Sequence, residues 1–432
     1  MKNLRFLTLL GLATCATPAF AQGTTVDKGD SVWMIVATAL VLLMTPALAL
    51  FYGGMVRKKN VLNTMLLSFV MMGVISIVWA LLGFSLSFGK SHNGFIGGLD
   101  YLWGNGISVT AAYGALTIPA ALFMLFQMKF AIITPALISG AIAERVRFGA
   151  YLLFMVLWSV LIYCPLACWV WNSDGWLFKL GALDFAGGTV VHLSSGISAI
   201  AFCMVLGPRK DKSPAPNNLT LTLLGAGMLW FGWFGFNAGS ALAMNDIAIN
   251  SFLTTHLAAG AGLIGWMLVE TMRHGRPTAL GAASGLVAGL VGITPAAGFV
   301  GIVPGILIGL IAGVGCCFAI ELKHKMGLDD ALDVIGVHGV GGLLGSILTG
   351  VFADRALNPA VPDVSRGQII VNQLVAVGAA GAFAFVGSLV LAWLVNKVTK
   401  LRADDEHEVV GLDTAVHGES GYTIDENLVT VS

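Results

Sequence analysis

Charge is what this chain has least of. Only 11% of its 432 residues are Asp, Glu, Lys or Arg, against about 25% in soluble domains. So little charge cannot clothe a water-facing surface, which excludes a soluble enzyme or binding module. The charges also cancel, 23 basic against 23 acidic, so the basic footprint that nucleic acid requires is missing and no nucleic-acid partner is expected. Cysteine is sparse: Cys15, Cys164, Cys168, Cys203, Cys316 and Cys317. None stands near a histidine at a metal-ligand spacing, so they read as buried apolar fillers, and neither metal nor cofactor is expected. A membrane enzyme would need a nucleophile, a metal set or a cofactor motif, and the sequence offers none.

What is abundant is apolar. The chain is 57% hydrophobic with a mean hydropathy of +0.86, and it holds 55 glycines. This is the composition of an integral membrane protein whose helices approach closely through small residues. Apolar runs recur at 32–52, 62–88, 113–142, 149–171, 188–208, 219–239, 248–270, 278–296, 299–320, 334–353 and 369–396. Each is long enough to cross a bilayer as a helix, some with tilt. The run at 278–296, ending at Thr294-Pro295, is the shortest. The expected fold is an all-α membrane protein with eleven transmembrane helices.

Residues 1–21 read as a secretory signal. Lys2 and Arg5 precede a short apolar core, and Ala19-Phe20-Ala21 is a small-x-small cleavage site, giving a mature start at Gln22. The core is too short to cross about 30 Å; a lipobox at Leu12–Cys15 is a weaker alternative. Basic residues set the orientation. One set of loops carries Arg57, Lys58, Lys59, Arg145, Arg147, Arg209, Lys210, Lys212, Arg273, Arg276, Lys323 and Lys325. The other carries only Lys28, Lys90, Lys179, Arg355 and Arg366. The first set is expected in the cytoplasm, with the mature N-terminus outside. The chain then divides into the signal, an eleven-span domain at 22–398 and a polar cytoplasmic tail at 399–432.

Eleven spans part into two fives and one extra. Spans one and six run in opposite directions, so the fives are expected to be inverted repeats with the working site at their interface, near mid-membrane. ITPA occurs at 133–136 and again at 293–296, a recurrence read as coincidence. His192 and His338 fall in spans five and ten, at equivalent places. An imidazole at that depth needs a partner or a pathway. One such ring is readily a packing residue; two in symmetric spans point to a pair lining a narrow path for a small polar solute. A haem or metal is disfavoured because no further ligands are placed to help. Asp184 and Asp333 stand near the starts of the same spans, where capping is the expected role. Phe126 and Phe130, four apart, share a helix face. Trp171 ends span four, and Phe236 with Ser240 closes span six; together these suit recognition of an ammonium-type cation, although each singly reads as packing. Lys129 lies well inside span three and points about 100° away from Phe130.

Five segments carry a resemblance: Ala49–Leu62 (ALFYGGMVRKKNVL), Phe126–Phe148 (FQMKFAIITPALISGAIAERVRF), Asp184–His192 (DFAGGTVVH), Gly232–Ser240 (GWFGFNAGS) and Asp333–Gly342 (DVIGVHGVGG). With these the chain resembles the Amt/Mep/Rh ammonium transporters, nearest the bacterial Amt branch. The resemblance implies a homotrimer in the bacterial cytoplasmic membrane, with one pore per subunit. It implies that Phe126, Phe130, Trp171 and Ser240 recruit ammonium or its analogue methylammonium, that Phe130 and Phe236 gate the pore, and that His192 and His338 are hydrogen-bonded beneath. Trp233, Thr294, Asp184 and Asp333 fall on supporting positions. The segment Gly411–Tyr422 resembles a tail that packs under the subunits and serves regulation by a PII-type signalling protein. Lys129 is a departure from the small or apolar residues common there. Two functions follow: an ammonium transporter, or a sensor that keeps the ammonium site and signals through the tail.

Overall fold

The computed structural model describes residues 24–212 and 216–422; the expected signal at 1–21 lies outside the described residues. Among the described residues, eleven apolar helices run through the bundle. They are α1 Lys28–Met55, α2 Lys58–Phe88, α3 Ala120–Ile142, α4 Phe148–Leu180, α5 Gly188–Leu206, α6 Leu219–Ala241, α7 Asp246–His274, α8 Ala279–Ile293, α9 Ile302–Lys323, α10 Ile335–Phe352 and α11 Arg366–Val398. All but α8 are long and apolar enough to cross a membrane. The fold is an all-α, multi-pass membrane bundle.

Local chemistry sets where these helices begin. Side chains of Asp27, Asn218, Asn245, Thr278 and Ser365 each accept a backbone N–H from the first turn of the helix that follows, satisfying a donor that the helix leaves open. The chain at 113–119, expected to be helical, is instead a loop: Tyr113 N bonds Ile118 O and Ala120 N bonds Ala111 O. Pro119 stands just before α3 and disfavours a helical residue ahead of it. The short α8 is mostly buried, packed among its neighbours.

Hydrogen bonds between loops define two ends of the bundle. At the upper end, where α1 begins, Asp27 N bonds Thr117 O, Phe185 N bonds Pro295 O and Asp354 N bonds Phe299 O. At the lower end, Glu144 accepts from Arg57 (2.8 Å), Asn60 (3.0 Å) and Arg209 (2.7 Å), and Arg209 continues to Asp329 (2.8 Å). Burial pushes both carboxyls up in pKa, but the Arg57 and Asn60 bonds to Glu144 and the Arg209 bonds to Asp329 outweigh it. Glu144 is held below the usual range and Asp329 at about 2. The segment after α11 docks on this end. Asp413 accepts from Leu62 N (3.0 Å) and Asn63 N (2.7 Å), Leu412 N donates to Asn60 (2.8 Å), and Arg402 and Arg147 pair with Glu408 and Asp404. Asp413 thereby caps the regular α-helical part of α2, which begins at Val61 and where Asn60 supplies no side-chain cap.

Two halves of opposite direction are visible in α5 and α10. Each opens on a π turn, Gly188–Leu193 and Ile335–Val340, with a histidine at its fifth and fourth position respectively. Ahead of each histidine by eight residues is a capping aspartate. Asp184 accepts from the N–H groups of Gly187, Gly188, Thr189 and Val190, and Asp330 accepts from Val334 and Ile335. The sequence reading assigned the second cap to Asp333, and the structure corrects this. Asp333 holds a left-handed backbone (φ 62°) and turns its carboxylate to Lys323 Nζ at 2.5 Å. The ITPA recurrence falls within α3 in the first five and at the C-terminal end of α8, the third helix, in the second. Thr134 and Thr294 both return their hydroxyl to the carbonyl four residues back, Phe130 and Leu290.

Candidate functional site

Glycine brings the two histidine-bearing helices together. A Cβ on Gly196 would lie 2.2 Å from Gly339 N, and one on Gly342 would lie 2.7 Å from Gly188 O. Any side chain at either place would push α5 and α10 apart, and each glycine is four residues past a histidine. At this separation His192 Nδ1 and His338 Nδ1 are 3.2 Å apart. The rings lie nearly parallel, 17° apart with centroids at 5.3 Å. Both residues are buried. Trp233 also stacks on His192 (5.4 Å, 21°) and is fixed by a hydrogen bond from its Nε1 to Thr294 Oγ1 at 2.9 Å.

The space around the pair is about 10 Å³, lined by the two histidines, Trp233, Phe236 and apolar side chains including Met44, Leu48, Phe51, Ile133, Leu137 and Val191. That holds about one water-sized molecule. The indole N–H of Trp233 is already engaged, so the imidazoles supply the polarity of this channel. His192 Nε2 has no hydrogen-bond partner among the described residues.

Above the channel two phenyl rings close the way. Phe236 lies 6.0 Å from His192 and 4.3 Å from Phe130, centroid to centroid. Phe236 is carried by a third π turn, Phe234–Ala238. Beyond the rings is an upper cavity of about 120 Å³ lined by Phe88, Phe123, Gln127, Phe130, Trp171, Phe185, Ser240 and Leu242. Trp171 meets Phe130 edge-on at 5.8 Å and donates its Nε1 to Asp184 O at 3.0 Å. Ser240 donates its hydroxyl to Phe236 O at 2.8 Å, so its lone pairs are what the cavity sees. Below His338 a polar cavity of about 390 Å³ opens among Arg57, Glu144, Arg209, Lys323, Asp329, Asp330 and Asp333.

The structure thus brings Phe130, Trp171, Ser240, Phe236, His192, His338, Trp233 and Thr294 into one column. Phe126 stands behind Phe130 (5.0 Å, edge-on), and a Cβ on Gly239 would lie 2.9 Å from its ring. Asp184 supports the column from the side: its carboxylate is occupied by backbone N–H groups. Lys129 lies off the column, its Nζ 3.8 Å from Met128 Sδ. The sequence reading missed Gln127, Phe123 and Phe88 at the upper cavity, and Asp330 below. For Gln127 the signal was an amide set among rings in FQMKF; for Asp330 it was the spacing of eight that Asp184 and His192 already displayed.

An arrangement of this kind offers π faces and oxygens to a small N–H donor above and a narrow, almost dry passage below. Comparison with known proteins gives the family. The family model described as Ammonium Transporter Family matches residues 32–422. An ammonium transporter of Bacillus subtilis (strain 168) is 50% identical over 92% of this chain and 99% of its own. The crystal structure of Saccharomyces cerevisiae Mep2 is 38% identical and superposes with a TM-score of 0.82, covering 89% of each chain. A structure titled Sensor Amt Protein is 31% identical with a TM-score of 0.83, covering 90% of this chain and 98% of its own. The chain therefore belongs to the Ammonium Transporter Family, a multi-pass membrane protein that is a transporter and not an enzyme.

Proposed function

We propose that the column is the transport path and that it moves ammonium as separated ammonia and proton. The carrying observation is the contrast along it: an aromatic cavity of about 120 Å³ with hydrogen-bond acceptors, then two phenyl rings, then a channel of about 10 Å³ whose polarity is a pair of imidazoles. In the upper cavity NH4+ is recruited by the faces of Trp171 and Phe130 and by Ser240 Oγ. A bare cation is too costly to carry through the channel, so it gives up a proton before the Phe130–Phe236 gate. Neutral ammonia then passes His192 and His338, while the proton crosses separately through the histidine pair and nearby water. Net transport is electrogenic, and potassium, with no proton to surrender, is excluded.

Current recording on the purified chain in liposomes tests this. An ammonium pulse is expected to evoke current and a potassium pulse none. Equal currents for the two ions, or none for ammonium, would overturn the reading.

The setting proposed from the sequence keeps its support. The upper end faces the periplasm after removal of residues 1–21, and the lower end, with its arginines, faces the cytoplasm of a bacterial inner membrane. A homotrimer is supported by a lateral groove lined by Trp33, Phe234, Met244, Phe252 and His256. There the exposed imidazole of His256 stacks on Trp230 at 5.1 Å. Lipid tails cannot hydrogen-bond this imidazole and a second copy can. The docked tail at the lower end suits regulation by a PII-type partner. A sensing role through the same tail is the alternative, and its discriminating result is PII binding that survives a loss of transport.

A further inference from the structure

The upper cavity contains one polar side chain that no part of this mechanism uses. Gln127 belongs to the face of α3 that carries Phe123 and Phe130, because positions 123, 127 and 130 fall on one stripe of a helix. It lines the cavity with Trp171 and Ser240. It is 9% exposed, and its buried Oε1 accepts no hydrogen bond from the described residues. Buried amides without partners are uncommon because leaving one unpaired costs free energy.

The rest of the polar lining is matched to a donor. Trp171 Nε1 is turned away to Asp184 O, and the Ser240 hydroxyl proton is turned away to Phe236 O. What faces inward is therefore aromatic surface and one hydroxyl lone pair. A tetrahedral cation has more N–H groups than these can take. The carboxamide exchanges its oxygen and nitrogen by a half-turn of its terminal torsion, so a cation in the cavity selects the oxygen.

We propose that Gln127 is a recognition residue of the upper site, its Oε1 accepting an N–H of the ammonium ion alongside Ser240 Oγ and the Trp171 and Phe130 faces. The assignment rests on the transport reading and adds to it a second oxygen ligand. It makes the site a directional acceptor for N–H donors, not merely an aromatic box.

The test is the ammonium dependence of current for the full-length protein in liposomes. Gln127→Met keeps the length of the side chain and removes the oxygen. Losing a hydrogen bond to a charged donor, partly replaced by water, is expected to raise the half-saturating ammonium concentration about tenfold with little change in maximal current. Gln127→Glu keeps the oxygen and adds charge, so its half-saturation should equal or fall below that of the parent. Thermal melting accompanies both, and little change is expected because Gln127 ties no other residue. Three results overturn the assignment: a Met variant within about twofold of the parent, a Glu variant that shifts as far as the Met variant, or a Met variant that fails to fold. A parent protein without ammonium current overturns the transport reading first, which separates the two failures.

Discussion

His192 and His338 face each other through like atoms, Nδ1 to Nδ1 at 3.2 Å. One nitrogen must carry hydrogen and the other a lone pair, so the two rings are in different tautomeric roles. The pair therefore offers the channel a donor at one ring and an acceptor at the other, and a proton passing between them exchanges the roles.

Replacing both histidines by alanine is expected to cut ammonium-evoked current on the order of a hundredfold, the scale of positioned proton-transfer groups. The measurement is liposome current normalised to inserted protein. Current equal to that of the parent would remove the pair from the mechanism.

Thr294→Val deletes the acceptor of the Trp233 indole and leaves a buried N–H unpaired. The expected cost is about 1–3 kcal/mol of stability, seen as a lower melting temperature in detergent. Because Trp233 stacks on His192, a shift in tryptophan emission should accompany it. An unchanged melt and spectrum would mean that the indole finds another partner.

Asp330 and Asp333 both approach Lys323, at 3.8 and 2.5 Å, but only Asp330 caps α10. Asp330→Ala should therefore lower the melting temperature more than Asp333→Ala, which loses only its ion pair at the edge of an open cavity. An uncapped helix start costs about 1 kcal/mol, and more where the end is buried. Equal melts would return the capping role to Asp333.

Acid should loosen the lower end. Glu144 and Asp329 are held below their ordinary pKa in the folded chain, so each contributes stability that is present above the unfolded value of about 4. That contribution is lost as pH falls through the folded values, about 2 for Asp329. Melting temperature measured from neutral to acid pH should fall below about pH 4, and Glu144→Gln should flatten the fall. An identical acid slope in the variant would assign the effect to other groups.

Asp413 is the tail's contribution to α2. Asp413→Ala should leave the bundle folded and weaken tail docking by about 1 kcal/mol, the worth of a typical cap. Faster proteolytic release of the segment beyond α11 would report it. Unchanged cleavage would mean that the Leu412–Asn60 bond and the ion pairs suffice.

The helices were legible because a bilayer demands about twenty apolar residues at a time, a signal strong enough to give all eleven, including the short α8. The failure at 113–119 has a local cause in Pro119, which a hydropathy run does not register. The histidines stood out because polar rings are rare at that depth. Asp330 was hidden by a nearer aspartate, and only the equal spacing of Asp184–His192 and Asp330–His338 would have chosen between them. Gln127 was easily passed over because an amide set among rings carries no charge to flag it. The π turns leave no compositional mark: nothing in GTVVHL or IGVHGV announces a widened turn, and tertiary contact decides it.

Those widened turns make the path vulnerable in a way that no substitution scan would find. An in-frame insertion of one codon between Gly188 and His192 would leave α5 apolar and at home in lipid. Yet the turn already holds one residue more than an α turn, so a second would swing the imidazole by about 100° relative to the turn above it, away from its mate and from the indole stacked on it. Such a mutant is expected to reach the membrane in ordinary amounts and to be silent there, having lost angular phase and no chemistry.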